Sequence, residues 1–101
     1  MRITIEHLEN QVEILNEFTN QPKKPWSKDK GGKFLGNIGN YHINQAYGGF
    51  KLEQIVNQHG GVREMTNYRL TKRELYYVLH CINNVLRQEK KEGKRWNTQL
   101  F

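Results

Sequence analysis

Apolar residues recur at Ile5, Leu8, Val12, Leu15 and Phe18 in the segment TIEHLENQVEILNEFTN, the spacing of one stripe along a helix. Thr4 stands at an N-cap position, Glu6 falls in the first turn where free amides favour a carboxylate, and Ile3 and Leu8 occupy the two positions of a hydrophobic staple. Pro22 lacks an amide donor and restricts its predecessor, so the pattern predicts an N-terminal helix within residues 1–20. The spacing 5, 8, 12, 15 also fits heptad steps, which makes this stripe a candidate for pairing with a second copy of itself.

A second helical pattern closes the chain. In LTKRE, Leu70 can staple to Leu75, Thr71 can cap the third helical amide and Glu74 can reach back to complete a capping box. Leu75, Val78, Leu79, Ile82, Val85 and Leu86 then share one broad face, predicting a helix over 71–91 that covers a sheet. The stretch QEKKEGKRW is charged and broken by glycine, so residues 92–101 are expected to form a flexible tail.

Between the helices the period changes to two. Tyr41, Ile43, Gln45 and Tyr47 alternate with His42, Asn44 and Ala46, and glycine pairs at 48–49 and 60–61 allow tight returns before Phe50–Asn57 and Val62–Thr66. Residues 37–67 therefore read as an antiparallel meander of about three strands. The preceding QPKKPWSKDKGGKFLG, residues 21–36, reads as a basic connection anchored by Trp26. The fold class is α+β, in a single domain over 1–101.

Composition narrows the partners. Sixteen Lys and Arg against ten Asp and Glu give a net charge of +6, which favours anionic partners without choosing among nucleotide, nucleic acid and acidic protein. A chain of 101 residues has a thin core, so homo-oligomerisation is expected. Cys81 is the one cysteine, which excludes an intrachain disulfide; it reads as a small packing residue. Polar and acidic residues interrupt the start MRITIEHLENQ and no long apolar run follows, so the expected location is cytoplasmic, without membrane insertion.

Catalysis has little support. His7, His42, His59 and His80 lack metal-ligand spacing, and no metal or other cofactor is expected. Glu53 and Glu64 can approach across a hairpin, but nothing in the sequence sets the separation or burial that acid–base chemistry needs. None of the tandem glycines has a P-loop ending; of them, Gly48 and Gly49 make the better ligand candidate, since Tyr47 and Phe50 can flank the opening with rings. Arg63, Arg69, Lys72 and Arg73, with Tyr68 as a stacking surface, supply a basic corner at the start of the last helix, where free amides favour an anion. Lys90, Lys91, Lys94 and Arg95 with Trp96 offer an alternative role in nucleic-acid binding, and an exposed patch recognised by a host protein is a further alternative.

The combination of NIGNYHINQAYGGFKLEQI, the GGV at Gly60–Val62 and TKRELYYVL at Thr71–Leu79 resembles small phage-encoded proteins, and within them the Thoeris anti-defence sponge family. The resemblance runs from the N-terminal helix to about Leu86. It implies a non-catalytic, multimeric protein of the host-cell cytoplasm that sequesters a cyclic nucleotide or cyclic ADP-ribose-type immune signal. Aromatic contacts are then expected near Tyr47 or Phe50, and phosphate contacts near Arg63, Arg69 or Arg73.

Overall fold

A computed structural model describes residues 2–66 and 68–92, with side chains through Glu89. The chain is α+β, with antiparallel strands between an N-terminal and a C-terminal helix. Helix α1 (Ile5–Phe18) leads into a short hairpin, β1 (Trp26–Lys28) and β2 (Phe34–Gly36). A second sheet follows, β3 (Tyr41–Ala46), β4 (Gly49–Ile55) and β5 (Val62–Glu64), and helix α2 (Lys72–Glu92) ends the described chain.

Local chemistry sets the helix ends. Thr4 caps α1 through a box in which the His7 amide donates to Thr4 Oγ1 (3.3 Å) and the Thr4 amide donates to His7 Nδ1 (3.1 Å). The histidine takes the place more often held by Glu or Gln. At α2 the expected box is present: the Glu74 amide donates to Thr71 Oγ1 (3.1 Å) and the Thr71 amide to Glu74 Oε1 (2.9 Å). These bonds hold the Glu74 carboxyl below its ordinary range, chiefly through the Thr71 backbone amide.

Strand order in the larger sheet is β3-β4-β5, antiparallel throughout. Tyr41 lies opposite Gln54 and Ala46 opposite Gly49, with Tyr47 and Gly48 making the turn. Beyond β5 the chain returns to β4, where the Phe50 and Leu70 amides each donate to the other's carbonyl (2.9 and 2.8 Å). A Cβ at Gly49 would lie 2.6 Å from the Leu70 carbonyl oxygen, so this close return requires glycine, which also tolerates the local φ of 125°.

The register decides which backbone groups of β3 face outward. Ile55 donates to the Asn40 carbonyl and Met65 to the Leu52 carbonyl, so odd residues of β4 bond towards β3 and even ones towards β5. His42, Asn44 and Ala46 thus bond to β4, whereas Tyr41, Ile43 and Gln45 point their amides and carbonyls away from the sheet. At Tyr41 a side chain of α1 completes the pairing. Asn16 Nδ2 donates to the Tyr41 carbonyl (3.0 Å), and the Tyr41 amide donates to Asn16 Oδ1 (2.8 Å).

Leu8, Val12 and Leu15 of α1, Tyr41 and Leu52 of the sheet, and Leu75 and Leu79 of α2 form one core. Each fully buried leucine contributes roughly 1.5–3 kcal/mol of transfer free energy. The α1 stripe is therefore spent inside its own subunit and is not available for the self-pairing that its spacing allowed. The α2 face is also narrower than its periodicity indicated. Leu75 and Leu79 are buried, but Val78 and Val85 are exposed, because α2 lies chiefly along α1, where Asn83 Nδ2 donates to the Gln11 carbonyl (2.9 Å) and to its Oε1 (3.0 Å). Cys81 is exposed and is not a packing residue.

Residues 21–36 depart from a plain connection by forming the β1–β2 hairpin, with Trp26 opposite Gly36. Asp29 Oδ1 accepts from the amides of Gly31 and Lys33 (both 2.9 Å) and shapes the turn. Trp26 does anchor the segment: a Cβ at Gly60 would lie 2.5 Å from its ring, and Gly36 donates to the Gln58 carbonyl (2.8 Å). The tail expected over 92–101 lies, from residue 93 onward, outside the described residues.

Two outcomes test this account of the fold. Asn16→Ala removes both partners of the buried Tyr41 backbone and is expected to lower stability by about 3 kcal/mol at unchanged m value in urea denaturation. Stability from Glu74 is present above the ordinary carboxylate pKa and is lost as pH falls through its depressed folded value. Thermal unfolding followed by circular dichroism from neutral to acid pH should therefore show a flatter acid limb in Glu74→Gln than in the parent.

Candidate functional site

The corner around Tyr47 and Arg69 is built differently from a phosphate cradle. Arg69 Nη1 donates to the carbonyls of Asn44 (3.3 Å) and Gly49 (3.1 Å), and its Nη2 donates to Asn44 Oδ1 (2.7 Å). The guanidinium is thus committed to fastening the β3–β4 hairpin to the segment before α2. Its stem runs past Gly48, where a Cβ would lie 3.6 Å from Arg69 Cδ. The opening that tandem glycines create is occupied by the chain itself.

The other expected ligands separate into groups. Tyr47 is fully exposed, whereas Phe50 turns towards the core, so the two rings do not flank one opening. Arg63 lies on β5 and its Nη2 donates to Gln54 Oε1 (2.7 Å). Tyr68 is exposed beside Arg69, and Lys72 and Arg73 begin α2, where the Glu74 carboxylate already occupies the Thr71 amide. Tyr47, Gly48, Gly49, Tyr68 and Arg69 are brought to one corner, with Lys72 and Arg73 following in the chain. Glu53 and Glu64 do face each other across β4 and β5. Each has its own cation or ring: His42 Nε2 lies 3.2 Å from Glu53 Oε1, and Lys51 Nζ lies 2.8 Å from Glu64 Oε1 and holds that carboxyl below its ordinary range.

A concave site lies elsewhere, along the outward edge of β3. A groove of about 480 Å³ has Glu9, Val12, Glu13 and Asn16 of α1 on one wall and Asn40, Tyr41, His42 and Ile43 on the other, with Lys23, Lys24 and Pro25 across one end. Asn40 is 1 % exposed; its Nδ2 donates to the Pro22 carbonyl (2.7 Å), which sets that end of the groove, while its Oδ1 has no protein partner. His42 Nδ1 is likewise buried without a protein partner. Both residues border a groove walled by two carboxylates and closed by two ammonium groups, and each holds one buried atom without a protein partner. An unpaired buried polar atom costs roughly 1–3 kcal/mol, so the arrangement favours a polar guest.

A smaller, apolar cavity of about 260 Å³ lies between the helices and the sheet, lined by Leu15, Tyr41, Leu52, Met65, Thr66, Val78 and Ile82. Burial raises the pKa of the Tyr41 phenol, with Arg63 opposing the shift. Val78 is also exposed on α2, as are Tyr77 and Val85. Among the described residues no group of three His, Cys, Asp or Glu side chains could hold a metal ion, and no helix is long and apolar enough to cross a membrane.

Comparisons with family models, characterised proteins and solved structures return no match to this chain. The groove residues Glu9, Glu13, Lys23, Lys24, Asn40 and His42 are not among those that residue patterning singled out. Their joint signal was weak, because they come from three separate segments that the Asn16–Tyr41 and Asn40–Pro22 bonds assemble.

Replacement distinguishes a structural Arg69 from a ligand-binding one. Arg69→Ala is expected to lower stability by about 2 kcal/mol through its lost charge-assisted hydrogen bonds. Lys72→Ala, on the surface nearby, should stay within about 0.5 kcal/mol of the parent in the same urea titration.

Proposed function

We propose that this chain is a non-catalytic protein that binds and sequesters a phosphate-bearing nucleotide in the groove between α1 and β3. The observation that carries the reading is a groove ending at Lys23 and Lys24 and bordered by Asn40 and His42, each of which holds one buried atom without a protein partner, Oδ1 and Nδ1. Asn40 Oδ1 accepts a hydrogen bond, as from the exocyclic amine of a base, and His42 Nδ1 does the same when His42 Nε2 carries the proton that faces Glu53. Glu9 and Glu13 take donors such as ribose hydroxyls, and the two ammonium groups take phosphate oxygens. Such a role needs orientation and retention, with no bond in the ligand broken.

Within this reading, the resemblance to Thoeris anti-defence sponges selects the ligand class: a cyclic nucleotide or cyclic ADP-ribose-type immune signal, removed from the cytoplasm of a host cell by a phage-encoded protein. The Tyr47–Arg69 corner then has a supporting place, since Arg69 is occupied in holding the hairpin. A second reading rests on a separate observation. The exposed Tyr77, Val78 and Val85 of α2, with Val78 lining the apolar cavity, fit a protein partner, such as a host factor inhibited by binding.

Native mass spectrometry of the protein mixed with cyclic nucleotides and cyclic ADP-ribose isomers tests the first reading. One intact nucleotide retained per groove and released unchanged on denaturation is expected, with about tenfold weaker binding in the Lys23→Ala, Lys24→Ala double variant. Retention of none of these compounds by the parent would overturn it. Binding that survives the double variant but disappears on Lys72→Ala, Arg73→Ala replacement would move the site back to the corner.

A further inference from the structure

The outward edge of β3 is sealed only at its first position. Asn16 occupies the Tyr41 amide and carbonyl, while the register leaves those of Ile43 and Gln45 directed away from β4. Open strand edges are templates for another strand, and natural edges are commonly guarded by proline, an inward charge or a bulge. Ile43 and Gln45 are none of these, and β3 pairs with β4 residue for residue without a bulge.

We infer that β3 is a self-pairing edge, joining two copies of this chain antiparallel about Asn44 into one continuous six-stranded sheet. The edge is self-complementary. A two-fold axis at Asn44 sets Ile43 of each copy opposite Gln45 of the other, so each outward donor meets an acceptor. The same register carries the turn residue Tyr47 towards Tyr41 of the partner, beside the groove. Tyr47 stands in the turn just beyond β3 and is 104 % exposed in the single chain. A ring left exposed by its own subunit is thereby brought near Tyr41 at the border of the other's groove.

Charge identifies the occupant as a second copy. The α1 sequence IEHLENQVEILNEF contains Glu6, Glu9, Glu13 and Glu17 and no Lys or Arg, and Glu9 and Glu13 border the groove. The Tyr47–Gly48 turn that enters from the partner is backed by Arg69, with Lys72 and Arg73 next along the chain. The two-fold axis brings this basic corner to the acidic helix twice. Lys23 and Lys24, at the Asn40 end, lie beyond the outward positions used in pairing. The inference is independent of the nucleotide reading, because the dimer forms without any ligand.

Sedimentation velocity of the full chain, with no nucleotide present and across a concentration series, tests it. A reversible dimer is expected, weakening as salt rises. Gln45→Pro removes only an outward amide donor, a position where an edge strand tolerates proline, and should leave a folded monomer by circular dichroism. A charge exchange provides a second arm that does not depend on the folding of that variant: Glu9→Lys with Glu13→Lys should weaken the dimer by about tenfold, and adding Lys72→Glu with Arg73→Glu should restore it. A parent that stays monomeric throughout the series, or a dimer untouched by both sets of variants, would overturn the inference whatever the nucleotide titration shows. A dimer broken instead by Val78→Asp would overturn it too, placing the interface on α2.

Discussion

The two hydrogen bonds between Asn16 and the Tyr41 backbone hold the architecture together, because they let a helix stand in for a strand. An edge strand buried beside a helix would leave an amide and a carbonyl unsatisfied, at a cost of roughly 1–3 kcal/mol each. Asn16 satisfies both and sits 1 % exposed between Leu15 and the sheet. Fixing α1 at this point sets the spacing of helix and strand, and hence the groove between them. It also determines where the sheet can grow, since the edge beyond Asn16 stays open.

Elsewhere, side-chain amides and one guanidinium repeatedly perform work that larger proteins assign to longer strands. Arg69 ties the β3–β4 turn to the approach of α2, Asn83 joins the two helices, and Asn57 Oδ1 accepts from the amides of His59 and Gly61 (both 2.9 Å) to form the loop under Trp26. Asn37 Nδ2 donates to the Lys24 carbonyl (2.8 Å) and to Ser27 Oγ (2.9 Å), fastening the small hairpin. A chain that is 36 % hydrophobic has little apolar area to bury, so specific polar bridges carry much of the positioning.

That division explains what residue patterns reveal. Both helices are legible because period and capping are local, and Thr71 and Glu74 form the box their spacing implies. The three-stranded sheet is legible because alternation and tandem glycines mark it. Strands β1 and β2 are three residues each, with no buried residue among Trp26–Lys28, and no alternation can show in so short a segment. The site is less legible. A guanidinium next to an aromatic looks alike whether it awaits a phosphate or grips carbonyls 20 and 25 residues away, as Arg69 does. Asn16 is silent in hydropathy, yet it decides which edge is sealed and where the groove lies.

Amide hydrogen exchange resolved by NMR, in dilute solution of the full chain, tests this central constraint most directly. The Tyr41 amide is expected to exchange slowly although no strand pairs with it, and to lose that protection in Asn16→Ala under conditions where the Met65 amide, bonded to the Leu52 carbonyl, remains protected. The Ile43 and Gln45 amides should exchange fast in the dilute parent. An unprotected Tyr41 amide in the parent, or one that stays protected without Asn16, would contradict it.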